Sequence, residues 1–570
     1  MKVPVNAVWS VTALLTTNAF AFLHQRQTGD AFPWASINPS EDLHYHPCYA
    51  GFRCARLRVP LDWAAAESTS NRNSSSAWIA FAIISLPASV PETDPSFGGT
   101  VIMNPGGPGV SGVATALSLG RAMQRVLKGN KHYELLSFDP RGVGMSTPRA
   151  DCYRGDNFRR AADALQHAQA VAPLTTYSEL GLRIRYAAAE GLGKLCEETL
   201  PGSDSIFAHM STASVARDML EIVERVEERR NSNRSEGPRL LYWGFSYGTV
   251  LGQVFASLFP DRVGRMVLDG IGDVEDLLTG TWKTSTTDAE KAMDQFYQIC
   301  LDAGPLCPLH KKTDESIGDI RSRVTSLLTS LEQFPLPATY DGRIQLVTSH
   351  SIREAIRNAL YDPVGQFATL ASTIAESLAG NYTRLLGTQS VTQNSACSAP
   401  DTADPPSTYT RIGDASVGIF CADTMATAGD RNMSWAESVV DYHANQSIST
   451  GEVWSRFLLS CAQWPFAPRF ILPVPSGETK WKGSAPLLVV STRYDPATPL
   501  GNAYALSRKY EGSVVVVQES VGHTTFIASR SRCTEHYIRD YFETGNVPAN
   551  NTVCRPDCVP SIPWVDCPRV

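Results

Sequence analysis

Residues 241–253 read LYWGFSYGTVLGQ, and Ser246 stands between two glycines where an apolar run gives way to a helical pattern. A sharp strand-to-helix turn crowds the backbone so closely that only glycine fits two residues to either side. The residue at its tip is strained and projects out of the sheet. Gly244, Ser246 and Gly248 therefore read as a G-x-S-x-G nucleophile elbow. A serine hydroxyl attacks well only when a base takes its proton, and that base needs an acid to orient it. Of 11 histidines, only His523 directly follows a strongly apolar run and a glycine, in VGHTTF. The acid should close another strand and precede the histidine. Asp495, in VVSTRYDPATP, does so and leaves room for one helix and one strand before His523. Asp269, closing RMVLDG, is its rival. Two backbone N–H groups must then meet the developing oxyanion. Tyr247 supplies one, and the glycine-rich loop NPGGPG (104–109) supplies the other, with Gly107 the chosen donor.

These residues need a scaffold that brings strand ends together. Apolar, β-branched runs at 54–63 and 78–86 read as opening strands. GTVIMNPGGPGVSG (99–112), YELLSFDPRGVGMSTP (133–148), 239–245, 265–270, 485–495 and 512–520 read as strands that end in loops. TASVARDMLEIVERVEERR (212–230) has the apolar spacing of an amphipathic helix. Alternation of this kind predicts an α/β fold with a doubly wound, mostly parallel sheet. Between 275 and 480 the alternation stops and the pattern turns mainly helical, which predicts a large cap inserted before the last two core strands. The order Ser246, Asp495, His523 is the one expected of an α/β-hydrolase. Gly107, Gly109 and Gly112 also spell a dinucleotide fingerprint, but Pro108 removes a backbone donor that a pyrophosphate would need, so nucleotide binding is set aside.

A net charge of −7 without a Lys/Arg run argues against nucleic acid. Lys2, an interrupted apolar stretch and Ala19-Phe20-Ala21 read as a signal peptide over residues 1–21, not a membrane anchor. No other stretch is long enough to span a bilayer. The 13 cysteines fit export as disulfides. Spacing suggests Cys48–Cys54, Cys300–Cys307 and Cys533–Cys554, with Cys152–Cys196, Cys421–Cys461 and Cys558–Cys567 plausible and Cys397 left over. Zinc spacing is absent, and no metal or organic cofactor is required. Sequons at Asn73, Asn233, Asn381, Asn432, Asn445 and Asn550 suggest a secreted glycoprotein.

Taken together, NPGGPGVSG, DPRGVGMSTP, GFSYGTVLG, STRYDPATP and GHTTF resemble the tripeptidyl aminopeptidase group of α/β-hydrolases, relatives of the prolyl aminopeptidases. CARLRVPLDW, CLDAGPLCPL (300–309), FCADTM (420–425) and RCTEHYIRDYFETGNVPANNTVC (532–554) extend the likeness over roughly residues 48–557. The resemblance implies a core of 22–274 and 484–570, the latter carrying the group's C-terminal segment, with a helical cap over 275–483. It also implies hydrolysis of short peptides from the N-terminus. Such an exopeptidase needs cap carboxylates for the substrate's α-ammonium, and Asp423 is one candidate, although a helix-cap or turn role serves it equally well. The acidic pair of the prolyl enzymes finds no match. Peptidase and carboxylesterase both remain open, because one scaffold hosts both. A catalytically dead binding relative is disfavoured, since every catalytic position is filled.

Overall fold

A computed structural model describes residues 32–68, 77–169, 179–230, 237–389, 412–425, 431–471, 482–563 and 567. The leader, Cys397, the sequons at Asn73 and Asn233, and both Pro/Ser/Thr-rich patches (398–408 and 472–479) lie outside these residues.

The apolar runs become one sheet of ten strands. In chain order these are β1 (His46–Cys48), β2 (Phe52–Pro60), β3 (Trp78–Leu86), β4 (Phe97–Asn104), β5 (His132–Phe138), β6 (Leu240–Phe245) and β7 (Val263–Asp269). A hairpin apart from the sheet, β8 (Leu336–Tyr340) and β9 (Arg343–Val347), intervenes. Then come β10 (Leu488–Tyr494), β11 (Val514–Val521) and β12 (Thr552–Cys554). The spatial order is β1-β2-β3-β5-β4-β6-β7-β10-β11-β12. Pairing is antiparallel from β1 to β5 and parallel from β5 through β12. The inner strands are buried along nearly their whole length because helices cover both faces, which is why they read as continuous apolar runs.

The cap enters between β7 and β10, as the break in alternation suggests, but three strands follow it. The third, β12, is an edge strand of three residues, too short to register as a periodic run. The cap is also not purely helical, since the β8–β9 hairpin lies within it. A separate apolar cluster (Met293, Phe296, Ile320, Leu328, Ile356 and Phe367 among its members) gives the cap its own core. A further helical stretch, Asn157–Gln169 and Glu179–Thr199, lies between β5 and β6. Six disulfides form: Cys48–Cys54, Cys152–Cys196, Cys300–Cys307, Cys421–Cys461, Cys533–Cys554 and Cys558–Cys567. Among the described residues no helix is long and apolar enough to cross a membrane.

Candidate active site

Every chemically suggestive residue outside the cap falls at the C-terminal end of a parallel strand. β6 stops at Phe245, and the helix Tyr247–Leu258 starts one residue after Ser246. Ser246 sits at φ 54° and ψ −124°, a conformation that disfavours any residue with a Cβ. It is held there by its own N–H, which donates to Asp269 O at 3.0 Å. The flanking glycines are sterically required. A Cβ on Gly244 would lie 2.5 Å from Gly248 O, and one on Gly248 would lie 2.6 Å from Asn104 O. Ser246 keeps part of its surface open while its neighbours are buried.

His523 follows β11 and is 2% exposed. Its Nδ1 lies 2.9 Å and 3.1 Å from the two oxygens of Asp495, the residue that follows β10. Asp495 is fully buried. Its Oδ1 also accepts from Ala497 N and Thr498 N, and its Oδ2 from Thr524 N. Burial would push this carboxyl up, but His523 and the backbone donors outweigh it and hold the pKa below the ordinary value. The other imidazole nitrogen, Nε2, is buried without a hydrogen-bond partner. Gly270 lies between the elbow and the loops that carry Asp495 and Thr524. Thr249 Oγ1 bonds both Ser246 O and Gly270 O, while a Cβ on Gly270 would touch Thr498 and Thr524 at 2.9 Å and Asp495 at 3.4 Å. No hydrogen bond joins Ser246 Oγ to His523 Nε2. Unliganded hydrolases commonly leave that bond long.

Asp269, the rival acid, does not reach the imidazole. Its carboxylate accepts from Thr525 N at 2.6 Å, Thr525 Oγ1 at 2.8 Å and Phe526 N at 3.2 Å, clamping the chain just past His523. Burial raises its pKa to about 7. Asp139, which follows β5, plays a similar part for the glycine-rich loop. It accepts from Ser111 Oγ, Val113 N and Met145 N, and burial lifts it to about 6.

The loop 104–109 lies against the elbow. A Cβ on Gly106 would fall 2.4 Å from Phe245 O and 2.9 Å from Tyr247 N. The Gly106 N–H is already bound to Asn104 Oδ1 at 2.9 Å. Among the described residues, the N–H groups of Gly107 and Tyr247 make no hydrogen bond. Two amide donors are thus left uncommitted beside the serine.

Asp423 is placed differently from the sequence-based expectation. It lies behind the Tyr247 side chain, 5% exposed. Its Oδ1 accepts from Thr212 N at 2.6 Å and its Oδ2 from Thr212 Oγ1. Thr212 Oγ1 in turn bonds Tyr247 OH. The carboxylate ties the cap to the first turn of the helix Thr212–Arg229, and burial raises it to about 7. Each oxygen accepts one hydrogen bond from Thr212, and the side chain is buried, which fits the helix-capping role.

Tyr361 carries no sequence signal for a role here. It ends the cap helix Ser349–Tyr361, and its ring centroid lies 4.5 Å from that of His523. Its carbonyl accepts from His523 N at 3.4 Å. Only tertiary packing sets this register. Among the described residues no group of three or more His, Cys, Asp or Glu side chains is arranged to hold a metal.

Comparison with known proteins agrees with this architecture. Residues 99–298 match the alpha/beta hydrolase fold family, and residues 446–554 match the TAP-like protein family. The chain has the alpha/beta hydrolase fold and is similar to tripeptidyl aminopeptidases. This hydrolase is 28% identical over 469 residues to a tripeptidyl aminopeptidase of Streptomyces lividans, covering 81% of this chain and 78% of that one. It is 26% identical over 533 residues to the serine protease Hip1 of Mycobacterium tuberculosis, covering 92% and 90%. Carboxylesterase B of the same organism is 27% identical over 518 residues, covering 88% and 86%. The hydrolase is a serine hydrolase, with relatives on both the peptidase and the esterase side.

Proposed function

We propose that this hydrolase is exported and releases short peptides from the N-termini of peptide substrates, through Ser246 as nucleophile, His523 as base and Asp495 as orienting acid. The observation that carries the reading is the buried pair of His523 Nδ1 and Asp495, with Nε2 left unpartnered, together with a strained, part-exposed serine at the elbow. The Asp495 carboxylate requires a proton on Nδ1, which leaves Nε2 as the proton acceptor. Ser246 Oγ attacks the scissile carbonyl carbon and passes its proton to Nε2. The C–N bond breaks, and the imidazolium returns the proton to the leaving amine. Water, deprotonated by Nε2, then releases the acid and regenerates the serine. The amides of Gly107 and Tyr247 hold the oxyanion in both steps, and losing one such donor typically costs about 2.7–4 kcal/mol of barrier.

Two features favour short substrates. Tyr361 packs against His523, and Pro363 packs against the preceding glycine, so the cap crowds the histidine that a bulky substrate would have to reach. Export is supported by the leader-like N-terminus and by cysteines that pair throughout the described chain.

The test has two arms. A fluorophosphonate should label the wild type and not Ser246→Ala. Tripeptidyl and aminoacyl anilides should be cleaved in preference to p-nitrophenyl esters and intact casein. Strong ester turnover with no peptide release would move the assignment to a carboxylesterase, and rapid internal cleavage of casein would overturn the size restriction.

A further inference from the structure

The loop that carries the Gly107 amide is rich in residues with no side chain to hold them. Gly106, Gly107 and Gly109 sit at φ 93°, 111° and 90°, and glycine backbone of this kind is intrinsically free to move. Two hydrogen bonds bracket Gly107. On one side Gly106 N donates to Asn104 Oδ1 at 2.9 Å. On the other, Ser416 Oγ donates to Pro108 O at 2.5 Å. The first anchor is the last residue of the core strand β4, and the second comes from the cap.

Ser416 lies on the helix Ile412–Met425, and that helix also reaches the second amide. Asp423 is seven residues further on, close to two helical turns, so it shares a face with Ser416. Thr212 Oγ1 gives its single proton to Asp423 Oδ2. The bond between Thr212 Oγ1 and Tyr247 OH then runs the other way, with the tyrosine donating. Asp423, Thr212 and Tyr247 are all buried. Tyr247 is the residue whose N–H stands beside Ser246. Its side chain has few rotatable bonds, so a pinned hydroxyl restrains the Cα next to that amide. The helix is itself tied down. Asp414 accepts from Cys152 N at 2.9 Å and pairs with Arg160 at 2.6 Å, and Cys421 is joined to Cys461. One tethered helix thus holds the flank of the glycine loop and, through Thr212, the side chain of Tyr247.

Resting on the acyl-transfer mechanism above, we propose that the cap helix Ile412–Met425 sets the geometry of the oxyanion hole. Ser416 is the positioning residue for the Gly107 amide, and Thr212 with Asp423 positions the Tyr247 amide. None of the three touches the reacting atoms. Such a hole works because its donors are aimed before charge develops, and a misplacement of about 1 Å can cost ~100-fold. The core supplies the serine and both amides, and the cap supplies the stiffness that keeps the amides aimed.

The test follows fluorophosphonate labelling, because the phosphoryl oxygen of the probe takes the place of the oxyanion and no natural substrate is needed. Wild type, Ser416→Ala, Ser416→Thr, Thr212→Val and Thr212→Ser are compared by maximal labelling rate, half-saturating probe concentration and Tm. Ser416→Ala is expected to lower the maximal rate about tenfold or more, with half-saturation and Tm unchanged, and Ser416→Thr to restore it. Thr212→Val should lower the rate likewise and also Tm, since it strands Tyr247 OH and Asp423, while Thr212→Ser restores both. The plateau of the pH–rate profile should fall without a shift in its midpoint, which reports the histidine. A shifted midpoint overturns the proposal, because the disturbance would then lie in the His523 loop. Rates within about twofold of wild type in Ser416→Ala also overturn it, as does a loss that the threonine variant fails to repair. Should Thr212→Val not fold, Ser416→Ala decides, since that side chain is part-exposed and gives up one bond. A wild type that takes no label removes the acyl-transfer mechanism and the proposal with it. A labelled wild type with indifferent variants strikes the proposal alone.

Discussion

Replacing Asp495 by asparagine separates the two candidate acids and fixes the imidazole chemistry. The side chain has no exposed surface, and its two oxygens serve Ala497 N, Thr498 N, Thr524 N and His523 Nδ1. Asparagine keeps one acceptor, which can stay with Ala497 and Thr498. Its amide then faces Thr524 N–H and His523 Nδ1. The imidazole can satisfy that donor only by turning Nδ1 into an acceptor, which moves the proton to Nε2 and removes the base. The shape is retained and the tautomer is wrong, a change worth ~10,000-fold in kcat in serine hydrolases, or about 5.5 kcal/mol of barrier at about 1.4 kcal/mol per tenfold. Asp269→Asn is the matched control. It disturbs the clamp on Thr525 and Phe526 but leaves the Asp495–His523 pair intact, so a loss of up to ~100-fold through misplacement is expected. Both variants would be assayed for the rate of fluorophosphonate labelling and for kcat on a tripeptidyl anilide, with circular dichroism to verify folding. A loss below tenfold for Asp495→Asn, or a larger loss for Asp269→Asn, would refute the assignment.

Further expectations concern the frame around the triad. Gly248→Ala places a methyl 2.6 Å from Asn104 O, where neither backbone can retreat; it should cost about 3 kcal/mol or more by overpacking, read as a fall in Tm or in soluble yield. Asp423→Ala strips two acceptors from Thr212 and should cost about 1–3 kcal/mol of stability without changing KM for peptides with a free N-terminus; a raised KM at unchanged Tm would restore its substrate role. Stability should rise as pH falls from 8 towards 5. Burial raises Asp139 to about 6 and both Asp269 and Asp423 to about 7, so the folded state takes up their protons before the unfolded chain does. His350, lowered to about 4 by burial, and His209 and His443, also lowered by burial, act in the opposite sense, while Asp218 and Asp273, raised by burial, join the three carboxylates against them. Below about pH 4 the trend should reverse. Burial acts upward on Glu452, but Arg456 and Arg353 hold it at about 2, and its stabilising contribution disappears as it protonates. A Tm that falls steadily from pH 8 to 5 would contradict this order.

The parts legible in the sequence are those that local sterics and strand periodicity dictate. The glycines around Ser246 announce a backbone approach that the structure puts at 2.5–2.6 Å from a hypothetical Cβ. His523 stands out because a histidine after a buried strand and a glycine has few structural reasons to be there. The disulfides between nearby cysteines follow from short separations along the chain. What was not legible depends on how distant segments meet. Asp423 looks like a free cap carboxylate until Thr212, far away in sequence, is packed against it. Tyr361 belongs to a cap helix whose end meets His523 only once distant segments are packed together. β12 and the β8–β9 hairpin are too short, or too exposed, to leave a periodic trace.

The loop bearing His523 is held from several sides, and this explains its backbone. Gly522 lies at φ +120° and Thr524 at φ +61°, the latter unfavourable for a β-branched residue. Such strain persists only where the surroundings overdetermine it. Thr492 Oγ1 donates to Gly522 O at 2.6 Å, Asp495 takes His523 Nδ1 and Thr524 N, and Asp269 takes Thr525 twice. From the cap, Tyr361 O accepts from His523 N, and a Cβ on Gly522 would strike Pro363 at 2.7 Å. Two anchors come from strand ends and one from the strand β10, while the last comes from the cap. His523 is therefore positioned jointly by core and cap, and a cap movement that displaced Tyr361 would release one of the restraints that fix the imidazole. On the proposed mechanism, the position of the cap and the orientation of the His523 imidazole are therefore mechanically linked.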